Sequence, residues 1–120
     1  MMAARKKKVV HSSGKRKTAV ARATVKAGKG RVRVNTTPIA IMQPELSRRK
    51  AVEPLIIAGA MDRLAKVDIN IKTHGGGTMG QTDAIRTAIA RGLVLYNKGA
   101  EGLDEELKEE YLRFDRSLLV

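Results

Sequence analysis

Small and β-branched residues alternate across residues 18–26. Ala19, Ala21, Ala23 and Val25 fall on one side, and Thr18, Val20, Arg22, Thr24 and Lys26 on the other. This two-residue period predicts a strand with a small-residue inner face. Residues 27–30, Ala-Gly-Lys-Gly, supply turn chemistry, and residues 31–35 alternate again with Val32 and Val34 inward. The local pattern therefore predicts a β-hairpin whose outward face carries Arg22, Lys26, Arg31 and Arg33. Thr36, Thr37 and Pro38 turn the chain into a short third extended piece over residues 39–42. Pro44 and Glu45 then suit the first turn of a short basic helix through Arg48, Arg49 and Lys50. Pro54 restarts or kinks a second helical piece over residues 55–60, apolar enough to be core.

In the second half, Val67, Ile69 and Ile71 alternate with Asp68, Asn70 and Lys72, so a strand precedes the glycine cluster of residues 75–77. The strongest helix follows over residues 79–97. One stripe holds Ala84, Ile85, Ala88, Ile89, Leu93 and Tyr96, with Asp83, Arg86, Thr87 and Arg91 away from it. A last amphipathic helix uses Leu103, Leu107, Tyr111, Phe114 and Leu118, and its acidic residues, Asp104 to Glu106 with Glu109 and Glu110, read as a solvated face. There is no internal repeat. The 120 residues suit one compact domain over residues 13–120 behind a basic arm of residues 1–12. Within that arm Arg5, Lys6, Lys7 and Lys8 form a block of like charge that should order only on a polyanion.

Charge sharpens this picture. The formal net charge is +12, and its distribution is uneven: residues 1–50 hold 15 Lys and Arg against Glu45 alone, whereas residues 51–120 hold 9 basic and 11 acidic residues. Such concentration points to a polyanionic partner met by the first half of the chain. Nucleic acid is favoured over a membrane, because no apolar helical face accompanies the basic runs. No run of about eighteen apolar residues or apolar leader is present, so a cytoplasmic protein without a membrane partner is expected. With no cysteine and only His11 and His74, neither a structural metal nor a thiol-dependent cofactor is expected. The only aromatics, Tyr96, Tyr111 and Phe114, lie apart from the basic runs. Base stacking is thereby disfavoured, leaving recognition of RNA backbone and shape.

One motif argues for catalysis. Gly75, Gly80, Gln81 and Thr82 follow a strand and open a helix, one residue away from the phosphate-cradling pattern of nucleotide hydrolases. Gln81 stands where that pattern needs a lysine to reach the terminal phosphates, so the loop lacks its main electrostatic contribution. The same glycines could receive an RNA phosphate on free backbone amides, or merely make a tight turn. His11 beside Ser12 and Ser13 has no acid placed to complete a triad. No enzyme is expected.

The motifs together resemble a family. They are residues 13–22, Ser-Gly-Lys-Arg-Lys-Thr-Ala-Val-Ala-Arg; Gly28-Lys29-Gly30 with Val34-Asn35; Glu53-Pro54-Leu55; Gly75-Gly76-Gly77 with Gly80-Gln81; and Ala84-Ile85-Arg86 followed by residues 89–93, Ile-Ala-Arg-Gly-Leu. Their order from about His11 onward is similar to that of the small-subunit ribosomal protein nine family, and residues 111–120 resemble its archaeal and eukaryotic branch. The resemblance implies an α+β fold: a two-layer α/β sandwich like the second domain of ribosomal protein five. In it a small, largely antiparallel sheet with a left-handed crossover is covered by helices. It also implies a structural role on small-subunit rRNA of the head region, beside neighbouring small-subunit proteins. An RNA-processing or ribosome-maturation factor on a related fold is the alternative. Family members continue after the segment matching residues 115–120 into a basic tail that reaches peptidyl-site tRNA; that tail is expected to be missing from this chain. Charge and resemblance together make the expected RNA contacts Lys6, Lys7, Lys8, Lys15, Arg16, Lys17, Arg22, Lys29, Arg31, Arg33, Arg48, Arg49, Gly75, Gly76, Gly77, Gln81 and Arg86.

Overall fold

A computed structural model describes residues 9–41, 45–60, 67–96 and 105–114. The alternation around Ala21 forms strand β2 (Ala19–Ala27), and that around Ile69 forms β5 (Val67–His74). The two pair antiparallel at the centre of a five-stranded sheet, with Ala19, Ala21, Ala23, Val25, Val67, Ile69 and Ile71 buried on one face. The outer strands are β1 (Val9–Arg16), β3 (Val32–Val34) and β4 (Thr37–Pro38), in the order β1-β2-β5-β3-β4. Only β3 and β5 run parallel. The sheet is thus mixed but largely antiparallel, and with its helices it forms the α+β sandwich.

The hairpin expected between β2 and β3 does not form, because β5 lies between them. Residues 27–30 do turn, but a long-range partner holds the turn: Asp68 Oδ1 on β5 accepts the backbone N–H groups of Lys29 at 2.9 Å and Arg31 at 3.0 Å. The hairpin that β3 does make is with β4, through Asn35 and Thr36 at φ 50° and 71°, the left-handed pair that a two-residue loop demands. Pro38 has no N–H to extend that ladder. The chain leaves it as a 3-10 turn, Ile39–Ile41, which corrects the extended piece expected over residues 39–42.

Residues 9–12, expected in the arm, belong to β1, which pairs with β2 from Val9↔Lys26 to Arg16↔Ala19. Residues 1–8 lie outside the described residues, as do Pro44, Leu103 and Leu118. Helix α2 (Thr78–Tyr96) packs on β1 and β2 at very short range. A Cβ on Gly14 would run into the Ala84 carbonyl oxygen, and one on Gly92 would lie 2.7 Å from Val25 Cγ2. Ser12 Oγ adds a 2.7 Å hydrogen bond to the Ala88 carbonyl.

Helix α1 (Glu45–Ala60) is one element with Pro54 inside it, not two pieces. A proline has no N–H to offer the carbonyl four residues back, which here is that of Lys50. Arg86 replaces the missing donor: its Nε reaches the Lys50 carbonyl at 3.1 Å, and its Nη2 meets Glu53 Oε1 at 2.6 Å. Arg86 and Thr87 are therefore buried, although the sequence pattern set them on the solvent side. Helix α2 is covered by the sheet on one side and by α1 on the other. From α3 (Glu105–Phe114), fully buried Tyr111 donates its hydroxyl to the Pro54 carbonyl at 2.9 Å. Ile69, Ile71, Ile89 and Leu93 are at most 1 % exposed, each contributing roughly 1.5–3 kcal/mol of apolar burial.

Candidate nucleic-acid interface

Helix α2 covers the inner face of β1 and β2, and α1 and α3 pack in turn on α2. Among the described residues nothing covers the opposite face of the sheet. Strand alternation sends His11, Ser13 and Lys15 to that face from β1, and Val20, Arg22, Thr24 and Lys26 from β2. Asp68, Asn70, Lys72 and His74 join them from β5, and Arg33 from β3. All are exposed or half-exposed.

Register puts these side chains in rows. Ser13, Arg22 and Lys72 stand directly across from one another on three adjacent strands, and His11, Thr24, Asn70 and Arg33 form the next row across four. Arg22 opposite Lys72 is a like-charge cross-strand pair, an arrangement that weakens a sheet. Lys15, Arg22, Arg33 and Lys72 make no ion pair among the described residues. Among the described residues the only acid on this face is Asp68, which is engaged by the turn at Lys29 and Arg31. Those two backbone N–H groups, aided by the charges of Arg31 and Lys26, hold its carboxyl below the ordinary value of 3.8.

At one end of the face, Lys17 sits at φ 56° in the two-residue turn between β1 and β2. The glycine loop packs against the same turn. Gly75 and Gly76 take φ 75° and 64°, and a Cβ on Gly76 would lie 2.8 Å from Ala19 Cβ, whereas one on Gly77 would meet nothing within 4 Å. Gln81 closes the loop: its Nε2 donates to the Gly75 carbonyl at 2.9 Å, and its backbone N–H to that of Gly77 at 2.9 Å. Asn35 and Thr73 brace it through two mutual hydrogen bonds. Thr82 Oγ1, which a nucleotide hydrolase would turn toward magnesium, is buried and donates to the Thr78 carbonyl at 2.8 Å. The Gln81 amide and the Thr82 hydroxyl are thus both engaged within the loop and the first turn of the helix.

The expected contacts therefore separate. Lys15, Lys17, Arg22, Arg31 and Arg33 are exposed on the open face or at its ends, with Lys29 on the adjoining turn. Arg16 lies 3.7 Å from Asp83, and Arg48 and Arg49 share Glu45 at 3.5 and 3.0 Å. Arg86 is buried and held by the Lys50 carbonyl and Glu53, and Gly75, Gly76 and Gln81 shape the turn. Lys6, Lys7 and Lys8 lie outside the described residues. Asn70, Lys72 and His74 are not among the expected contacts, because charge counting favours the first half, and His11 is not because it carries no formal charge at pH 7; the signal for Lys72 is its place on the polar side of the β5 alternation.

A family profile described as ribosomal protein S9/S16 matches residues 14–120. The chain belongs to the ribosomal protein S9/S16 family. The family match includes every open-face residue from Lys15 to His74. Two relatives carry the name small ribosomal subunit protein uS9. That of Methanothrix thermoacetophila is 50 % identical over 113 residues, covering 94 % of this chain and 80 % of the relative. That of Halobacterium salinarum is 53 % identical over 112 residues, covering 93 % and 80 %. Both are archaeal, as the resemblance of the C-terminal segment implied.

Proposed function

We propose that this chain is a structural constituent of the small ribosomal subunit and binds the subunit's RNA through the open face of its sheet. The observation that carries the surface is the Arg22–Lys72 pair, two cations set opposite each other with neither in an ion pair among the described residues. A polyanion laid on the face turns that repulsion into attraction and releases its own counterions. Lys15, Lys17, Arg31 and Arg33 extend the cationic field along and across the sheet. Arg16, Arg48 and Arg49 are engaged by Asp83 and Glu45 and lie off the open face, so they add less to that field. The role is structural rather than catalytic, exercised in the cytoplasm beside neighbouring small-subunit proteins. The test is sedimentation of a cell extract with quantitation of the chain. Stoichiometric presence in mature small subunits is expected. Presence confined to precursor particles would replace this reading with that of a maturation factor.

A further inference from the structure

On the open face, two shallow depressions lie side by side. One is lined by Ser13, Arg22 and Thr24, the other by Arg33, and Asn70 and Lys72 wall both. Asn70 stands at the centre of this arrangement, directly across from Thr24 on one neighbouring strand and Arg33 on the other. It is exposed, and its amide makes no hydrogen bond among the described residues. A central strand position is an unfavourable place for asparagine, which is depleted in strands, and here the side chain has no packing or pairing role to offset that. What it does have is a cation in each direction: Arg22 and Lys72 one row away, Arg33 beside it.

Resting on the reading of this face as an RNA surface, we infer that Asn70 is a ribose-recognition residue, flanked by phosphate-binding cations, for a single RNA strand crossing the sheet. Adjacent β-strands stand about 4.8 Å apart, so a strand passing from one depression to the other places a sugar over Asn70 and its phosphates near Arg22, Lys72 and Arg33. The amide presents both a donor and an acceptor. The ribose 2′-hydroxyl, also donor and acceptor, is the group that separates RNA from DNA at such a place. Among the described residues this face carries no Phe, Tyr or Trp; the imidazole rings of His11 and His74 line the two depressions, and any stacking on them would add affinity without distinguishing ribose from deoxyribose. The cations supply affinity irrespective of the sugar, and Asn70 supplies the preference for RNA.

The experiment measures binding of the whole chain to oligouridylate and to the matching oligodeoxyuridylate across a salt series. Wild type is compared with Asn70→Val and with the Arg22→Gln, Lys72→Gln double variant. Valine suits a strand better than asparagine, so Asn70→Val should keep the melting temperature. The expected result is a wild-type preference for the ribo-oligomer of roughly fivefold, the scale of one hydrogen bond, abolished in Asn70→Val with the salt slope unchanged. The double variant should lower the slope for both oligomers and leave the preference intact. Equal wild-type affinity for the two oligomers would overturn the ribose assignment. So would an equal loss for both in Asn70→Val, which would assign the amide to a base edge. A salt slope unmoved by the double variant would instead overturn the reading of the face on which the assignment rests.

Discussion

Gly76 and Gly77 are chemically identical neighbours that do different work. Gly76 holds a left-handed conformation with no room for a Cβ beside Ala19, while Gly77 has an unstrained φ and open space. Gly76→Ala should cost about 1–3 kcal/mol from backbone strain and overlap, and Gly77→Ala should be neutral or stabilising by about 0.5 kcal/mol. Urea denaturation of the two variants checks this, and equal losses at both positions would contradict the geometry. The sequence displays three glycines in a row without ranking them; only the approach of β2 does so. Arg86 teaches the same lesson. Its spacing on α2 looks solvent-facing, and what reverses that reading is a proline 32 positions earlier that leaves a carbonyl unpaired.

Among elements, α1, α2 and α3 are joined by one polar node: Arg86 to the Lys50 carbonyl and Glu53, and Tyr111 to the Pro54 carbonyl. Arg86→Met should cost about 2–3 kcal/mol, since it strips a buried carbonyl and a half-buried carboxylate of their donor. In a Pro54→Ala background the helix can supply its own N–H to Lys50, so the cost of Arg86→Met should shrink by about 1 kcal/mol. A double-mutant cycle measures that coupling, and strict additivity would mean the carbonyl is not what Arg86 satisfies. The turn between β2 and β3 depends on Asp68, whose carboxyl titrates below its ordinary value because two backbone N–H groups favour the ionised form. A depressed folded-state value means its stabilisation is fully present above the unfolded-state value near 4 and is lost as pH falls through the lower folded one. Asp68→Asn should therefore lower the denaturation midpoint at pH 6, with the gap from wild type narrowing once pH falls below the unfolded-state value near 4. A gap that does not narrow on acidification below that value would contradict this. Strands β2 and β5 and helix α2 are legible in the sequence because one face of each carries a clean period. Strand β1 is not, because Val10 alone supplies an apolar inward side chain, followed by Ser12 and Gly14, small residues admitted by close packing. The pattern around residues 27–30 suggests the wrong hairpin because its turn chemistry is local, while the strand that separates β2 from β3 arrives 40 residues later.

For the whole molecule, the charge imbalance between halves directs attention to the first fifty residues, and the sheet adds Lys72 from the second half. The sheet assembles its open face from both halves, so Lys72 stands beside Arg22 while Arg48 and Arg49 lie on a helix with Glu45. If RNA is bound by this face and not by basic residues at large, the dependence of affinity for small-subunit rRNA on salt concentration will reveal it. The comparison is between wild type, the Arg22→Glu, Lys72→Glu double variant, and an Arg48→Gln, Arg49→Gln double variant as control. Removing one phosphate-binding cation should reduce the slope by about one. The open-face variant is predicted to bind far more weakly with a slope smaller by about two, and the α1 variant to change by less than one. A slope preserved in the open-face variant and reduced in the α1 variant would contradict this assignment and move the RNA to the helical layer.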